Sequence, residues 1–141
     1  MESIDSGKQC LFCNPSFYDG RTIKENRYWY AICDGYPVTQ WHTLIIPKRH
    51  IASPFQLTLI EFLSLFFFIR KVKKIVVANS ETNNFNIGIN DGEDAGQTIP
   101  HLHIHLIPRH SDDGGLPCGV RNVFPKEIAN YREKVEQIVA Y

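Results

Sequence analysis

His101-Leu102-His103-Ile104-His105-Leu106-Ile107 alternates histidine with an apolar residue and is closed by Pro108. On an extended strand, side chains at i, i+2 and i+4 share a face. The three imidazoles therefore line one side, and Leu102, Ile104 and Leu106 pack into a core on the other. Three adjacent imidazoles are a costly structural choice. Charged, they repel; neutral and buried, each needs a hydrogen-bond partner. Two chemistries remain open: a metal centre built on neutral imidazole, and a site using imidazole as nucleophile or acid–base group against a phosphate.

The flanking residues favour the phosphate. Gly96-Gln97-Thr98 lies just upstream, and small or polar residues there turn amides and a hydroxyl toward an anion. Asn90 closes the alternating stretch 85–90 (FNIGIN) and supplies a neutral amide donor. No further carboxylate stands at compact spacing within the strand to complete a metal set. Residues 28–33 (YWYAIC) read as a strand ending at the turn signal Asp34-Gly35, and 43–46 (TLII) as a second strand closed by Pro47. The loop 34–41 joins them as neighbours. Pro54 opens a long apolar helix over 55–78, with a stripe at 55, 59, 62, 63, 66, 69, 72 and 76 and Lys71, Lys73 and Lys74 toward its C-terminal end. Phe66-Phe67-Phe68 makes it apolar on more than one side, which suits a deeply packed helix or a subunit interface. A last helix is expected over 125–141. The short connection 91–100 favours antiparallel pairing, so the fold class is α+β rather than a doubly wound sheet.

The chain has 141 residues, one domain's worth, with its core over 10–110 and a tail and helix over 111–141. Lys plus Arg and Asp plus Glu are each 15, for zero net charge. A chain without positive excess is a poor coat for nucleic acid but can hold a small phosphate in a local site. The greasiest stretch, 54–69, contains Glu61 and falls short of the ~18–20 apolar residues of a membrane span. The start, MESIDSGKQC, has no apolar leader, so the expected place is the cytoplasm. Disulfides are disfavoured there, and Cys10-x-x-Cys13 reads as a metal or redox pair.

Taken together, Gly96-Gln97-Thr98-Ile99-Pro100 followed by the histidine strand resembles the signature of the histidine-triad (HIT) superfamily. The block from Trp41 to His50 (WHTLIIPKRH) is similar to the family's second block, Asp34 stands eight residues before His42, and Cys10-Leu11-Phe12-Cys13 is similar to the N-terminal block of many bacterial members. The likeness covers residues 10–110 in order and spacing. It implies a five-stranded antiparallel sheet with one long and one C-terminal helix, assembled as a homodimer partly through the long helix. It implies cleavage at the α-phosphate of nucleoside or dinucleoside polyphosphates through a nucleotidyl-histidine intermediate.

By motif position the nucleophile is His103, with its ring held by the carbonyl of His101. His105 donates to phosphate oxygens and His42 supports the pocket. Asn90, Gln97 and Thr98 hold phosphate oxygens and the leaving group, Asp34 takes the ribose hydroxyls, and Leu11, Phe12 and Ile32 form the base slot. Zinc-containing members imply a structural zinc on Cys10, Cys13, His50 and His101; a redox pair or free thiols are the other readings. Cys33 reads as a buried strand residue, Cys118 as a loop thiol and His110 as solvated, while Arg109 is either a contact for the polyphosphate or a plain surface residue. Gly114-Gly115-Leu116-Pro117-Cys118-Gly119-Val120-Arg121 is similar to a Gly-Gly-Val-Arg tail, interrupted by Leu116-Pro117-Cys118; Arg121 is either a ligand for a distal phosphate or part of a plain surface loop. A purine nucleoside phosphoramidase and a nucleotidyltransferase share the same triad. From another class, a nucleotide-binding regulatory protein remains, although its signature would be loss of His103.

Overall fold

The computed structural model describes residues 10–113. The chain divides into two units, Met1–His110 and Ser111–Tyr141, and the first is described here. The expected terminal helix, Cys118 and Arg121 lie outside the described residues.

Five strands form one antiparallel sheet: β1 (Thr22–Glu25), β2 (Trp29–Cys33), β3 (Thr43–Pro47), β4 (Phe85–Gly88) and β5 (Ile104–Pro108), in the order β1-β2-β3-β5-β4. β2 and β3 lie inside the sheet and are covered on both faces, which is why they read as continuous apolar runs rather than alternating ones. Parity along the strands sorts the side chains into two cores. Trp29, Ala31, Ile45, Leu102, Ile104 and Leu106 pack with Phe68, Val72 and Val76 of the long helix α2 (Leu59–Ser80). Tyr30, Ile32, Leu44 and Ile46 pack on the other face against Cys10 and Phe12 of the N-terminal segment. That segment is a 3-10 turn (Leu11–Cys13) running into a single-turn helix α1 (Pro15–Tyr18), whose start is capped by the Asn14 side chain.

The pairing Leu44↔His105 puts His105 on the face of the N-terminal segment. The same alternation carries Asp34 and His42 to that face as extensions of Ile32 and Leu44. The regular strand begins at Ile104, three residues later than the alternation suggests. His101 and His103 belong to the extended lead-in, where the Leu102 amide hydrogen-bonds the Ile51 carbonyl instead of a strand partner. β1 has no expectation in the sequence; TIKE is a half-exposed edge strand with an irregular register, too polar and short to announce itself.

The helix also differs from its expected start and stripe. Pro54–Gln56 form a separate 3-10 turn capped by Ser53, Leu57 is extended, and α2 begins after Thr58. Thr58 and Glu61 form a capping box, each side chain taking the other's backbone N–H. Glu61 is buried under Arg49, which clamps its carboxylate through Nε and Nη2 at 2.8 and 2.9 Å, while the Trp29 indole donates to the Glu61 carbonyl at 3.1 Å. These contacts rotate Glu61, Phe68, Val72 and Val76 inward. Leu59, Phe62, Leu63 and Phe66 of the expected stripe are turned out to solvent, with Leu59 73% and Phe66 57% exposed. A helix apolar on nearly every side has no preferred direction in its sequence, and here a carboxylate decides it.

Hydrogen bonds from Arg49 hold the Glu61 carboxyl down to about 2 from its usual 4.5. Its stabilising effect is complete above the usual value and is lost as pH falls from about 4.5 through about 2. Thr58→Ala is expected to cost about 1 kcal/mol at pH 6. Glu61→Gln should destabilise more than that at pH 6, and urea titrations should show its difference from the original chain shrinking toward pH 2.5; a gap that stays constant counts against the Arg49 clamp.

Candidate active site and candidate metal centre

A neutral imidazole has one N–H and one lone pair, so the partner of one nitrogen fixes the role of the other. His103 Nδ1 lies 2.8 Å from the His101 carbonyl oxygen. A carbonyl only accepts, so Nδ1 carries the proton and Nε2 presents a lone pair. The resemblance implied this same carbonyl. The His103 ring is 94% buried and held between two others, Phe12 at 5.2 Å and His105 at 5.1 Å between centroids.

The next two histidines form a chain. The Val38 amide donates to His42 Nδ1 at 3.0 Å, so His42 carries its proton on Nε2. That N–H donates to His105 Nδ1 at 2.9 Å, with Asp34 Oδ2 3.4 Å away as a second acceptor. His105 must then carry its own proton on Nε2, a buried donor with no partner among the described residues. An orphaned buried donor costs about 1–3 kcal/mol, a cost that an anionic acceptor removes. Burial pushes both rings toward the neutral form. It lowers His42 against the opposing charge of Asp34, and burial together with His103 and His42 pushes His105 down to about 4. Beside His105 stands Gly88, where a Cβ would meet nothing within 4 Å, so the strand leaves open space next to this donor.

The remaining expected residues fall around this line. Asp34 Oδ1 accepts from the Tyr36 amide, which leaves Oδ2 toward the histidines. Asn90 faces the Gly96 carbonyl at 3.5 Å and Thr98 is exposed. Gln97 is spent at both ends of its amide: Oε1 accepts from Gly92, and Nε2 donates to Ala52, each at 2.9 Å. It pins the loop 92–97, whose turns need positive φ at Gly92 and Gly96. Leu11 is exposed, whereas Phe12 and Ile32 are buried and back the pocket from below. His110, read from sequence as solvated, instead donates from Nε2 to the Ser80 carbonyl at 2.6 Å and ties the end of β5 to α2. The Val38 amide is the participant that sequence reading missed; a backbone donor leaves no residue-type signal.

Among the described residues two clusters bring three or more metal-ligating residues together, and tautomers separate them. His101 Nε2 donates to the Pro47 carbonyl at 2.8 Å, so its Nδ1 is a lone pair. That lone pair lies 3.5 Å from the sulfur of Cys10, 3.5 Å from that of Cys13 and 3.2 Å from His50 Nδ1, with Cys13 and His50 3.2 Å apart. A tetrahedral zinc with bonds of about 2.3 Å to sulfur and about 2.0–2.1 Å to nitrogen has ligand–ligand edges of about 3.3–3.8 Å. The four donors fit that geometry, and the Pro47 carbonyl is the outer partner that fixes a ligating histidine's tautomer. Burial and the neighbouring Cys10 raise the Cys13 thiol to about 11, a shift that a divalent cation would reverse. The other cluster, Asp34, His42 and His105, does not fit a metal. The Val38 amide keeps the proton on the His42 nitrogen that would have to bind, and the tris-histidine centre fails because His101 and His103 turn different atoms to different partners.

A family model described as HIT domain matches residues 18–112. The chain is 43% identical over 77 residues to a bis(5'-nucleosyl)-tetraphosphatase (asymmetrical) of Schizosaccharomyces pombe, covering 55% of this chain and 42% of that protein. It is 30% identical over 117 residues to an AP-4-A phosphorylase of Mycobacterium tuberculosis, covering 81% of this chain and 60% of that protein. The chain thus spans less than two thirds of the length of both relatives. A crystal structure of a Zn-bound histidine triad family protein from Mycobacterium smegmatis superposes with a TM-score of 0.68 at 28% identity, over 77% of this chain and 80% of that one.

The wiring makes the histidines distinguishable in solution. Long-range nitrogen–proton correlation at pH 6 should show His103 as the Nδ1–H tautomer and His42 and His105 as Nε2–H. His105 should take a second proton only near pH 4. A midpoint at the ordinary 6.5 would show that its burial is overstated.

Proposed function

The chain belongs to the HIT domain family, and from that premise we propose that it is a nucleotide hydrolase cleaving dinucleoside polyphosphates at the α-phosphorus. The observation that carries this reading is the His103 Nε2 lone pair beside a His105 N–H that has no partner among the described residues, the two rings standing 5.1 Å apart. His103 Nε2 attacks the α-phosphorus as the bond to the leaving oxygen breaks. The leaving nucleotide departs with that electron pair as an anion, and the nucleotidyl group rests on Nε2. Water then forms the new phosphorus–oxygen bond, Nε2 regains its lone pair, and the water proton passes to solvent. His105 donates to the phosphate, where its hydrogen bond strengthens as charge gathers in the transition state. Asn90 and Thr98 contribute further neutral donors, and Gln97 keeps their loop in place. Asp34 Oδ2 takes a ribose hydroxyl, and Leu11 meets the base over Phe12 and Ile32. The AP-4-A phosphorylase relative supports a second entering group, phosphate in place of water. The same intermediate would serve a phosphoramidase.

Cys10, Cys13, His50 and His101 would hold a zinc, which supplies cross-linking of the N-terminal segment to the lead-in of β5. The free thiols of Cys10, Cys13 and Cys33 suit the reducing cytoplasm. Among the described residues no helix is long and apolar enough to cross a membrane. Leu59, Leu63, Phe66 and Phe67 on the outer side of α2 form an apolar surface suited to a second copy of the chain.

His103→Ala should lower turnover of diadenosine tetraphosphate about 10³-fold or more while the nucleotide still binds. Acid quench of the original chain should trap labelled nucleotide on the protein. Full hydrolysis by the variant would end the covalent reading. Metal analysis should find about one equivalent of zinc; less than ~0.2 equivalent with both thiols intact would end that assignment. Phe67→Glu should shift the light-scattering mass from two copies toward one.

A further inference from the structure

The two clusters share parts. Cys10-Leu11-Phe12-Cys13 is a tight 3-10 turn, closed by the Cys13 amide on the Cys10 carbonyl at 3.1 Å. The ring between the two thiols, Phe12, is only 3% exposed and sits edge-on to two histidines, His101 at 5.9 Å and His103 at 5.2 Å. Its carbonyl is anchored by the buried Tyr30 hydroxyl at 2.5 Å. On the other side, His101 turns Nδ1 to the thiols, Nε2 to Pro47 and its own carbonyl to the His103 ring. Of the contacts that fix the His103 ring, Phe12 and the His101 carbonyl therefore both come from the four-donor cluster. Phe12 lies between two of its cysteines, and His101 is itself a donor. Only His105 is independent of it.

We propose that metal held by Cys10, Cys13, His50 and His101 is a positioning device for the nucleophile as well as a structural clip, acting through the Phe12 ring and the His101 carbonyl. This rests on the reading of His103 as nucleophile. Filling the cluster fixes the distance between the CxxC turn and His101, and with it both walls of the His103 ring. Emptying it releases His101 Nδ1 and the two thiols, so the lead-in 101–103 and Phe12 are tied only by their remaining packing. The β5 ladder starts at Ile104, and α2 packs on the far face. The sheet, His105 and the substrate-facing donors are thus outside the loosened part. The expected signature is a loss of kcat larger than any rise in KM, because misplacing a reacting atom by about 1 Å costs about 10²-fold in rate, whereas binding loses firmness at the Leu11 and Phe12 side of the base slot while Ile32, Asp34 and His105 stay in place. Phe12 is accordingly a positioning residue, not a catalytic one.

The test compares purified protein as isolated, the same protein stripped with a chelator and then reloaded with Zn(II), and the variants Cys13→Ser and Phe12→Leu. Three quantities are read: kcat and KM on diadenosine tetraphosphate, the hydrogen-bonded Nδ1–H proton signal of His103, and folded content by circular dichroism. Stripping should leave the sheet folded, lower kcat about tenfold or more and by a larger factor than KM rises, and broaden or erase the His103 N–H signal; Zn(II) should restore both. Phe12→Leu should keep its zinc and lose part of kcat and part of the signal. A stripped protein with an unchanged His103 signal would overturn the proposal. So would a Cys13→Ser defect that tracks only unfolding while Phe12→Leu keeps full kcat and an unaltered signal. If no substrate is turned over at all but the His103 signal still follows zinc, the coupling stands and the proposed activity falls.

Discussion

Backbone groups decide the role of each histidine. The Pro47 carbonyl takes the proton of His101 at Nε2 and leaves a lone pair toward two thiols. The His101 carbonyl takes the proton of His103 at Nδ1 and leaves a lone pair toward the pocket. The Val38 amide fills the lone pair of His42 and so forces donors along His42 and His105. Four chemically identical side chains thereby differ: two present a lone pair, one toward the thiols and one toward the pocket, and two pass an N–H donor along. Burial contributes by keeping the His42, His101 and His105 rings neutral, since a second proton would erase the distinctions among them.

The sheet exists in large part to hold those backbone groups still. β2 and β3 are packed on both faces, so the Pro47 carbonyl and the residues beyond the other end of β3 are set by the least deformable part of the molecule. The loop after β2 is pinned as well: Asp34 and His42 close its base through backbone, and Thr39 donates to the Pro108 carbonyl at 2.6 Å. Function sits on connections, but on connections nailed at both ends.

Much of this was legible in the residues. Alternation in the histidine strand, the apolar runs of β2 and β3, and the Asp34-Gly35 turn are local patterns with a direct physical cause, and they placed three strands and the faces of Leu102, Ile104 and Leu106. The approach of Cys10, Cys13, His50 and His101 came from resemblance, and the structure brings them together. Where the sequence misled, the deciding interaction was tertiary. The rotation of α2 depends on Arg49 and Trp29 meeting Glu61 from other elements. Gln97 reads as a spare amide until Ala52 and Gly92 arrive at either end of it. His110 reads as solvated until Ser80 presents a carbonyl. β1 was silent because an edge strand need not be apolar.

One property of the four-donor cluster concerns the order in which a ribosome makes it. Cys10 and His101 are 91 positions apart, and His50 lies between them. At about 5–20 residues per second the last donor is synthesised about 5–18 seconds after the first. Throughout that interval the two thiols stand side by side on a nascent chain with at most one histidine to help them hold an ion. Closing the set then also closes a loop spanning most of the sheet, which carries an entropic cost that grows slowly with length. Assembly of the four-donor cluster is therefore a late event in biosynthesis, and until then the young chain carries the Cys10 and Cys13 thiols without His101.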